Sequence, residues 1–367
     1  MSVSPSRVVV VQPALPSYRL PFFEAVAARL SGEFVVYASP GGLGVLTEHA
    51  RPPAWYRQLG PLRAVAPGVE WQVGALPIEV SRHDVLVVNG NPRQLSTMAL
   101  LVRARLRGAR TVWWGHLWSA TTARHRFIIR LWLMRLAHAV VFYTDEEVKS
   151  YRMTSYGRRD RRLVAALNNG IDVAPIDKVR VGYDPARRPK RVFFIGRITE
   201  KAELQVLLHA MATPELVDVG LDVVGDGPLR ERFASLAERL GIGQRVAWHR
   251  ATTDEATVAS VANRCLAFCY PGGVGLSLIH AMAYGLPAVL HDDRLTHMPE
   301  IAAFQEGVTG YSFEKGDPVS LAARLARLLD DHEAMARMSA VALDRVHATY
   351  NTNAMADRFV EAVSRWP

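Results

Sequence analysis

Three glycine-bearing turns in the second half of the chain hold the residues best placed to do chemistry. The first reads Phe194-Ile195-Gly196-Arg197-Ile198-Thr199-Glu200-Lys201. Gly196, at the end of a predicted strand, lets the backbone approach a ligand, and Arg197 and Lys201 could neutralise a diphosphate. A solvated helix start with ordinary surface charges would look the same. The second turn, Val224-Gly225-Asp226-Gly227-Pro228-Leu229, is tight, with proline at the expected first helical position. Its role is mainly structural, although the amides of Gly225 and Gly227 fall at the carboxyl end of a strand. The third, Pro271-Gly272-Gly273-Val274-Gly275-Leu276, leads into Ser277-Leu278-Ile279-His280. Its three glycines are expected to deliver exposed amides onto a helix N-terminus, which attracts anions. His280 lies about one turn into that helix. It either faces the ligand or sits satisfied in the core, as a lone histidine on an apolar helix commonly does. No P-loop and no Gly-x-Gly-x-x-Gly fingerprint is present. Together the three turns point to a nucleotide that carries a diphosphate.

The elements that must hold these turns alternate along the chain. Strands are predicted at Arg7–Gln12, Phe34–Ala38, Val85–Asn89, Arg110–Trp114 and Val140–Thr144. Helices fall between them at Leu20–Leu30, Leu95–Arg107 and Arg124–Ala137. After a loop-like stretch at 166–185 the pattern restarts with the strand Arg191–Ile195 and the helix Glu200–Met211. The alternation then runs to Ala288–His291, and a largely helical tail begins at Pro318. Such alternation predicts parallel sheets covered by helices on both faces. We expect two domains, 1–165 and 166–349, with ligands beyond the carboxyl ends of their strands in a cleft between them.

The second half resembles the nucleotide-sugar-binding domain of retaining GT-B glycosyltransferases, family four (glycosyl transferases group 1). The resemblance rests on six ordered pieces. These are Asn169-Gly-Ile-Asp172, Phe194-Ile-Gly-Arg-Ile198 and Val223-Val-Gly-Asp-Gly-Pro-Leu229, then Gly275-Leu276 with Ala281-Met-Ala-Tyr-Gly-Leu-Pro287, Met298-Pro-Glu-Ile301 and Gly307-Val-Thr-Gly310. It covers roughly residues 165–345; the first half matches chiefly through Trp114-Gly115-His116. The resemblance implies an α/β GT-B fold of two doubly wound Rossmann-like domains, with a last helix, 350–367, crossing back onto the first domain. It implies a donor diphosphate gripped by Arg197 with Lys201 nearby, and a donor held by the Gly273, Val274, Gly275 and Leu276 amides. It also implies His116 at the donor sugar and Glu300 in the matched Pro-Glu-Ile. Transfer with retention would need no metal and no cofactor beyond the nucleoside-diphosphate sugar. Two departures stand out. The family's paired glutamates, eight residues apart, are Gly272 and His280 here. The family lysine aligns with Ala202, one residue after Lys201.

Charge separates the halves. Residues 1–165 hold 22 basic and 10 acidic residues, against 22 and 25 in the remainder, so the net +9 arises wholly in front. Residues 103–162 alone hold 14 basic and 4 acidic residues, interleaved with Trp113, Trp114, Trp118, Phe127 and Trp132. Such a surface suits an anionic partner. With no nucleic-acid module in the sequence, we expect an anionic membrane carrying a lipid-diphosphate-linked or other glycan acceptor, and no nucleic acid. Arginine bias from a GC-rich coding sequence is the bland alternative. Tyr18 and Arg19, after the first strand, are the candidate acceptor contacts, or else simple helix caps.

No apolar run approaches the ~18–20 residues of a membrane span, and the four valines Val8–Val11 are too few for a signal peptide. Cys265 and Cys269, four apart in a predicted strand, are expected reduced on one buried face. The expectation is therefore a cytoplasmic protein, peripheral to the inner face of the cell membrane, acting in surface polysaccharide synthesis. A sugar-nucleotide epimerase of the same fold and a non-catalytic sugar-nucleotide-binding subunit are the competing readings.

Overall fold

The computed structural model describes residues 5–40, 52–117 and 124–365. The chain divides into two compact units, one running up to Asn168 and resuming at Thr352, the other spanning Asn169–Asn351.

In the first unit the order is β1 (Arg7–Ala14), α1 (Leu20–Arg29), β2 (Glu33–Ser39), β3 (Tyr56–Gln58), β4 (Leu62–Ala66) and β5 (Val69–Gln72). Then come β6 (Asp84–Asn89), α2 (Leu95–Leu106), β7 (Arg110–Trp114), α3 (Arg124–Met134), β8 (Ala139–Phe142), α4 (Asp145–Met153) and β9 (Leu163–Ala166). Seven strands form one sheet in the order β3-β2-β1-β6-β7-β8-β9, and every pairing in it is parallel. β1 is central, which is why Val8–Val11 is an unbroken buried run. Because side chains alternate across a strand, Val8 and Val10 pack with Phe22 and Phe23 of α1. Val9 and Val11 pack with Leu100 and Leu101 of α2 on the other face. β4 and β5 pair antiparallel in a separate hairpin that turns at Gly68, whose φ of +71° suits glycine.

The second unit holds α5 (Ala174–Asp177), β10 (Arg191–Ile195), α6 (Leu204–Met211), β11 (Gly220–Val224), α7 (Arg230–Arg239), β12 (Val246–His249) and α8 (Glu255–Ala262). It continues with β13 (Ala267–Tyr270), α9 (Leu276–Ala283), β14 (Ala288–His291), β15 (Gly310–Phe313), α10 (Pro318–Leu329) and α11 (His332–Ala348). Its six strands run parallel in the order β12-β11-β10-β13-β14-β15. A last helix, α12 (Thr352–Ser364), belongs to the first unit. There Phe359 meets Phe22 edge-on, with ring centroids 5.7 Å apart, and Asp357 pairs with Arg29 at 2.7 Å.

Several expectations are corrected. The seam falls at Asn168/Asn169 because β9 runs to Ala166 as the edge strand of the first sheet. Residues 174–177 are helical and belong to the second unit, where Ile176 is fully buried. The helix expected over Glu200–Met211 is interrupted: Glu200–Ala202 is a 3-10 turn and Glu203 is left-handed at φ 49°, so α6 starts at Leu204. Pro228 precedes the cap residue Leu229, and α7 begins at Arg230. Cys265 and Cys269 do not share a face. Cys265 precedes β13 and packs on one side of the sheet, Cys269 on the other. Both thiols are free, and burial pushes both pKa values up. Trp118 and the side chains of Arg124 and Arg126 lie outside the described residues.

Candidate functional site

In the second unit the strand order reverses between β10 and β13, and the three glycine turns follow β11, β10 and β13. Ligands of open parallel sheets sit at such a switch point, off the carboxyl ends of the strands. Hydrogen bonds join the turns to one another. Ile198 donates its amide to the Asp226 carbonyl at 2.9 Å, and Gly272 and Gly273 donate theirs to Ala202 and Lys201 at 3.1 and 3.3 Å. This stitching explains the break at Glu203, since the chain bends there to present two carbonyls to the third turn. It also explains the glycines. A Cβ on Gly225 would collide with the Gly196 carbonyl oxygen, one on Gly227 with that of Ile198, and one on Gly272 with that of Lys201.

Most amides expected to face a ligand are therefore engaged inside the unit. Gly196 donates to Val224, Gly225 to His249, Gly227 to the Asp226 side chain, and Val274 to Nδ1 of His297 at 3.1 Å. The exposed-amide expectation is corrected for Gly273 and Val274 and holds one residue further on. Gly275 caps α9, and the amides of Gly275, Leu276 and Ser277 have no hydrogen-bond acceptor among the described residues. These are the donors that a helix start leaves open. Buried Glu300 flanks this point: its Oε2 would lie 3.7 Å from a Cβ on Gly275, while Oε1 accepts from Asn169 Nδ2 at 2.8 Å. Arg197 and Lys201 are exposed on the first turn.

His280 is tied to α8. Its Nε2 lies 3.1 Å from Glu255 Oε2, the same oxygen to which the Tyr284 hydroxyl donates at 2.7 Å. Burial raises the Glu255 carboxyl, but the His280 and Tyr284 hydrogen bonds outweigh it and hold the pKa below the usual value. His280 is thus half-buried with a polar partner, Glu255, that sequence spacing did not reveal.

The first unit has its own switch point, between β1 and β6. A cavity of about 720 Å³ opens off the ends of β1, β6 and β7, lined in part by Tyr18, Arg19, Arg93, Trp114, His116 and Arg130. So Tyr18, Arg19 and His116, separated by about a hundred residues in sequence, meet in one pocket. His116 stacks on Tyr143 at 4.2 Å between centroids, and its Nδ1 is 3.6 Å from Glu147 Oε1. Glu147 is buried on α4 and accepts the amides of Leu117, Tyr143 and Thr144 at 2.9–3.1 Å, closing a capping box with Thr144. The Thr144-x-x-Glu147 spacing was the available signal for this residue. Arg93 follows β6 in Asn89-Gly-Asn-Pro-Arg93, and Arg130 comes from the middle of α3; sequence reasoning singled out neither.

Among the described residues no helix is long and apolar enough to cross a membrane. No group of three or more His, Cys, Asp or Glu side chains there could hold a metal ion.

Residues 176–345 match the family model for glycosyl transferases group 1. The chain is similar to the N-acetyl-alpha-D-glucosaminyl L-malate synthase of Bacillus anthracis, 25% identical over 61% of this chain and 57% of that protein. It is also similar to the lipopolysaccharide core biosynthesis glycosyltransferase LpsD of Rhizobium meliloti strain 1021, 24% identical over 57% of this chain and 58% of that one. The match thus spans less than three fifths of the length of either relative. Among solved structures, HepE of Anabaena, determined in complex with UDP, superposes with a TM-score of 0.66 at 15% identity, covering 98% of this chain and 99% of that one. The fold is GT-B, and the segment that matches the glycosyl transferases group 1 model is nearly the whole second unit.

Proposed function

We propose that the chain transfers a hexosyl group, with retention, from a nucleoside-diphosphate sugar to a hydroxyl of a glycan or lipid-linked glycan acceptor, without a metal. The observation that carries this reading is the open amino end of α9 at Gly275–Ser277 in a unit whose neighbouring turn exposes Arg197 and Lys201. Backbone amides and fixed cations are what a departing diphosphate needs, because the negative charge of the transition state grows there. In the transfer, the bond from the anomeric carbon to the diphosphate oxygen breaks and its electron pair leaves with the diphosphate. The acceptor oxygen bonds to the same face of that carbon, and its proton passes to a donor phosphate oxygen. His116, held by Glu147 and Tyr143, orients the sugar. The naming of LpsD for lipopolysaccharide core synthesis and the UDP bound to HepE support a nucleotide donor and a surface-glycan product.

The acceptor reaches the enzyme at the inner face of the cell membrane. Arg105, Arg107, Arg135, Arg158, Arg159 and Arg161 are exposed on the first unit, as are Leu106, Trp132, Met153 and Tyr156. Arg105 donates to the Leu136 carbonyl at 3.1 Å and Arg135 lies 5.8 Å from the Tyr156 ring, which draws these segments to one side of the unit.

The test is release of nucleoside diphosphate in the presence of a chelator, from a panel of nucleotide sugars offered with glycan and lipid-linked acceptors. Arg197→Ala is expected to lower turnover by at least a hundredfold. Equal rates in the two proteins would remove Arg197 from the site. Conversion of the donor to an epimer with no acceptor added would replace transfer by epimerisation.

A further inference from the structure

We infer that the cavity of the first unit is a phosphate site, so that the acceptor presents a phosphate or diphosphate group there. This rests on the reading of that unit as the acceptor side. Three arginines line the cavity from three elements: Arg19 ahead of α1, Arg93 after β6 and Arg130 from α3. No Asp or Glu lines it among the described residues. Convergent cations without a lining carboxylate repel one another, and an anion bound among them relieves that repulsion.

Each cation is placed, not loosely solvated. Arg19 sits 5.5 Å from the Tyr18 ring and 5.9 Å from the Trp114 ring, with Nη1 3.2 Å from Met355 Sδ. The aromatic surfaces hold its planar fork in place. Arg130 donates through Nη1 to the Leu117 carbonyl at 3.1 Å, while its Nε is buried with no hydrogen-bond partner among the described residues. The nearby carboxylate, Glu147, already accepts three backbone amides and faces His116. Burial pushes the Arg130 pKa down, Glu147 pushes it up, and the charge of Arg93 pushes it down again, so the two guanidiniums feel each other. A phosphate between them supplies the missing acceptor and cancels that repulsion.

Charge and size select the ligand class. Three forks match the oxygens and the two or more negative charges of a phosphate or diphosphate better than the single charge of a carboxylate. A volume of about 720 Å³ admits such a group with a sugar attached.

Calorimetric titration of the full chain with inorganic pyrophosphate tests the inference. Arg93 is exposed, so Arg93→Ala is expected to fold normally. Two classes of site are expected, one for each unit. Arg93→Ala and Arg19→Gln should weaken one class at least fivefold, and Arg197→Ala should leave that class unchanged. If Arg197→Ala removes all binding while Arg93→Ala and Arg19→Gln bind as the wild type does, the inference falls and the donor assignment stands. Loss in Arg93→Ala with no change in Arg197→Ala upholds the inference and discards the donor assignment instead. Competition then identifies the source. Displacement by glucose 1-phosphate supports a diffusible sugar phosphate, and displacement by farnesyl diphosphate a lipid-linked one. Displacement by neither overturns the inference.

Discussion

His297 accepts the Val274 amide on Nδ1, so its proton sits on Nε2, which donates to the His291 carbonyl at 2.9 Å. The two imidazoles stack at 3.8 Å, and both ring nitrogens of buried His291 have no hydrogen-bond partner among the described residues. Burial, with the nearby charges of His297 and Lys315, brings the His291 pKa down to about 4. Burial lowers that of His297 as well. The sign of the pH effect follows. The unfolded chain takes protons on these rings as pH falls through about 6.5, whereas folded His291 stays neutral until about pH 4. Stability is therefore lost on acidification across that window and levels off below it. His291→Phe keeps the stack and breaks no hydrogen bond. We expect its melting temperature to drop less than that of the wild type between pH 7.5 and pH 5, measured at fixed ionic strength. Parallel losses would show that the ring does not carry the effect. Protonating His297 would also release Val274, and with it the turn that ends in the open amides of Gly275–Ser277.

Among the elements, α12 buries Met355, Ala356, Phe359, Ala362 and Val363 in the core of the first unit, and Phe359 is the largest of them. Phe359 is buried against Phe22 and Trp114, with centroids 5.7 and 6.1 Å away, in the core of the first unit. Truncating a buried phenylalanine costs the transfer of its ring and leaves a cavity, so Phe359→Ala should lower stability by about 3–5 kcal/mol in urea unfolding. The ion pairs Arg29–Asp357 and Arg358–Asp145 are exposed; exposed pairs typically contribute about 0–1 kcal/mol. A loss under about 1 kcal/mol for the Phe359 variant would mean that α12 is held otherwise. The same scale shows what was legible in the sequence. The central strands, β1 through Val8–Val11 and β10 through Val192–Phe194, are buried on both faces, and their apolar character alone locates them. Both glycine-rich and aromatic landmarks of the sites could be read for the same local reason. What could not be read is non-local. Whether Gly273 offers its amide outward depends on a carbonyl 72 residues earlier, at Lys201, and the fate of His280 depends on Glu255. Arg93 and Arg130 look like two surface arginines until the strand order brings them to one cavity.

For the whole molecule, the structure divides the basic excess of residues 1–165 by use. Some of the arginines are internal fasteners. Arg103 donates to the Ile78 carbonyl, Arg152 to those of Gly157 and Asp160, and Arg162 to those of Met134 and Ala137. Arg162 also pairs with Asp160, whose carboxyl it helps hold down to about 2 against the effect of burial. Arg19, Arg93 and Arg130 converge on the cavity. The remaining exposed set, together with Trp132, which is 63% accessible, is the part available to an anionic surface. Near such a surface each basic residue is worth on the order of 1 kcal/mol, and the attraction decays over a Debye length of about 8 Å at physiological salt. Co-sedimentation should therefore be strong with phosphatidylglycerol vesicles, weak with phosphatidylcholine vesicles, and reduced by raising salt from 0.05 to 0.5 M. Replacing Arg158, Arg159 and Arg161 together with Glu should abolish it without touching the internal fasteners. Trp132→Ala should weaken it less, because an indole adds apolar contact but no charge. Equal binding to both vesicle types would reduce the surface arginines to a matter of composition, while the cavity cations would keep their separate test with pyrophosphate.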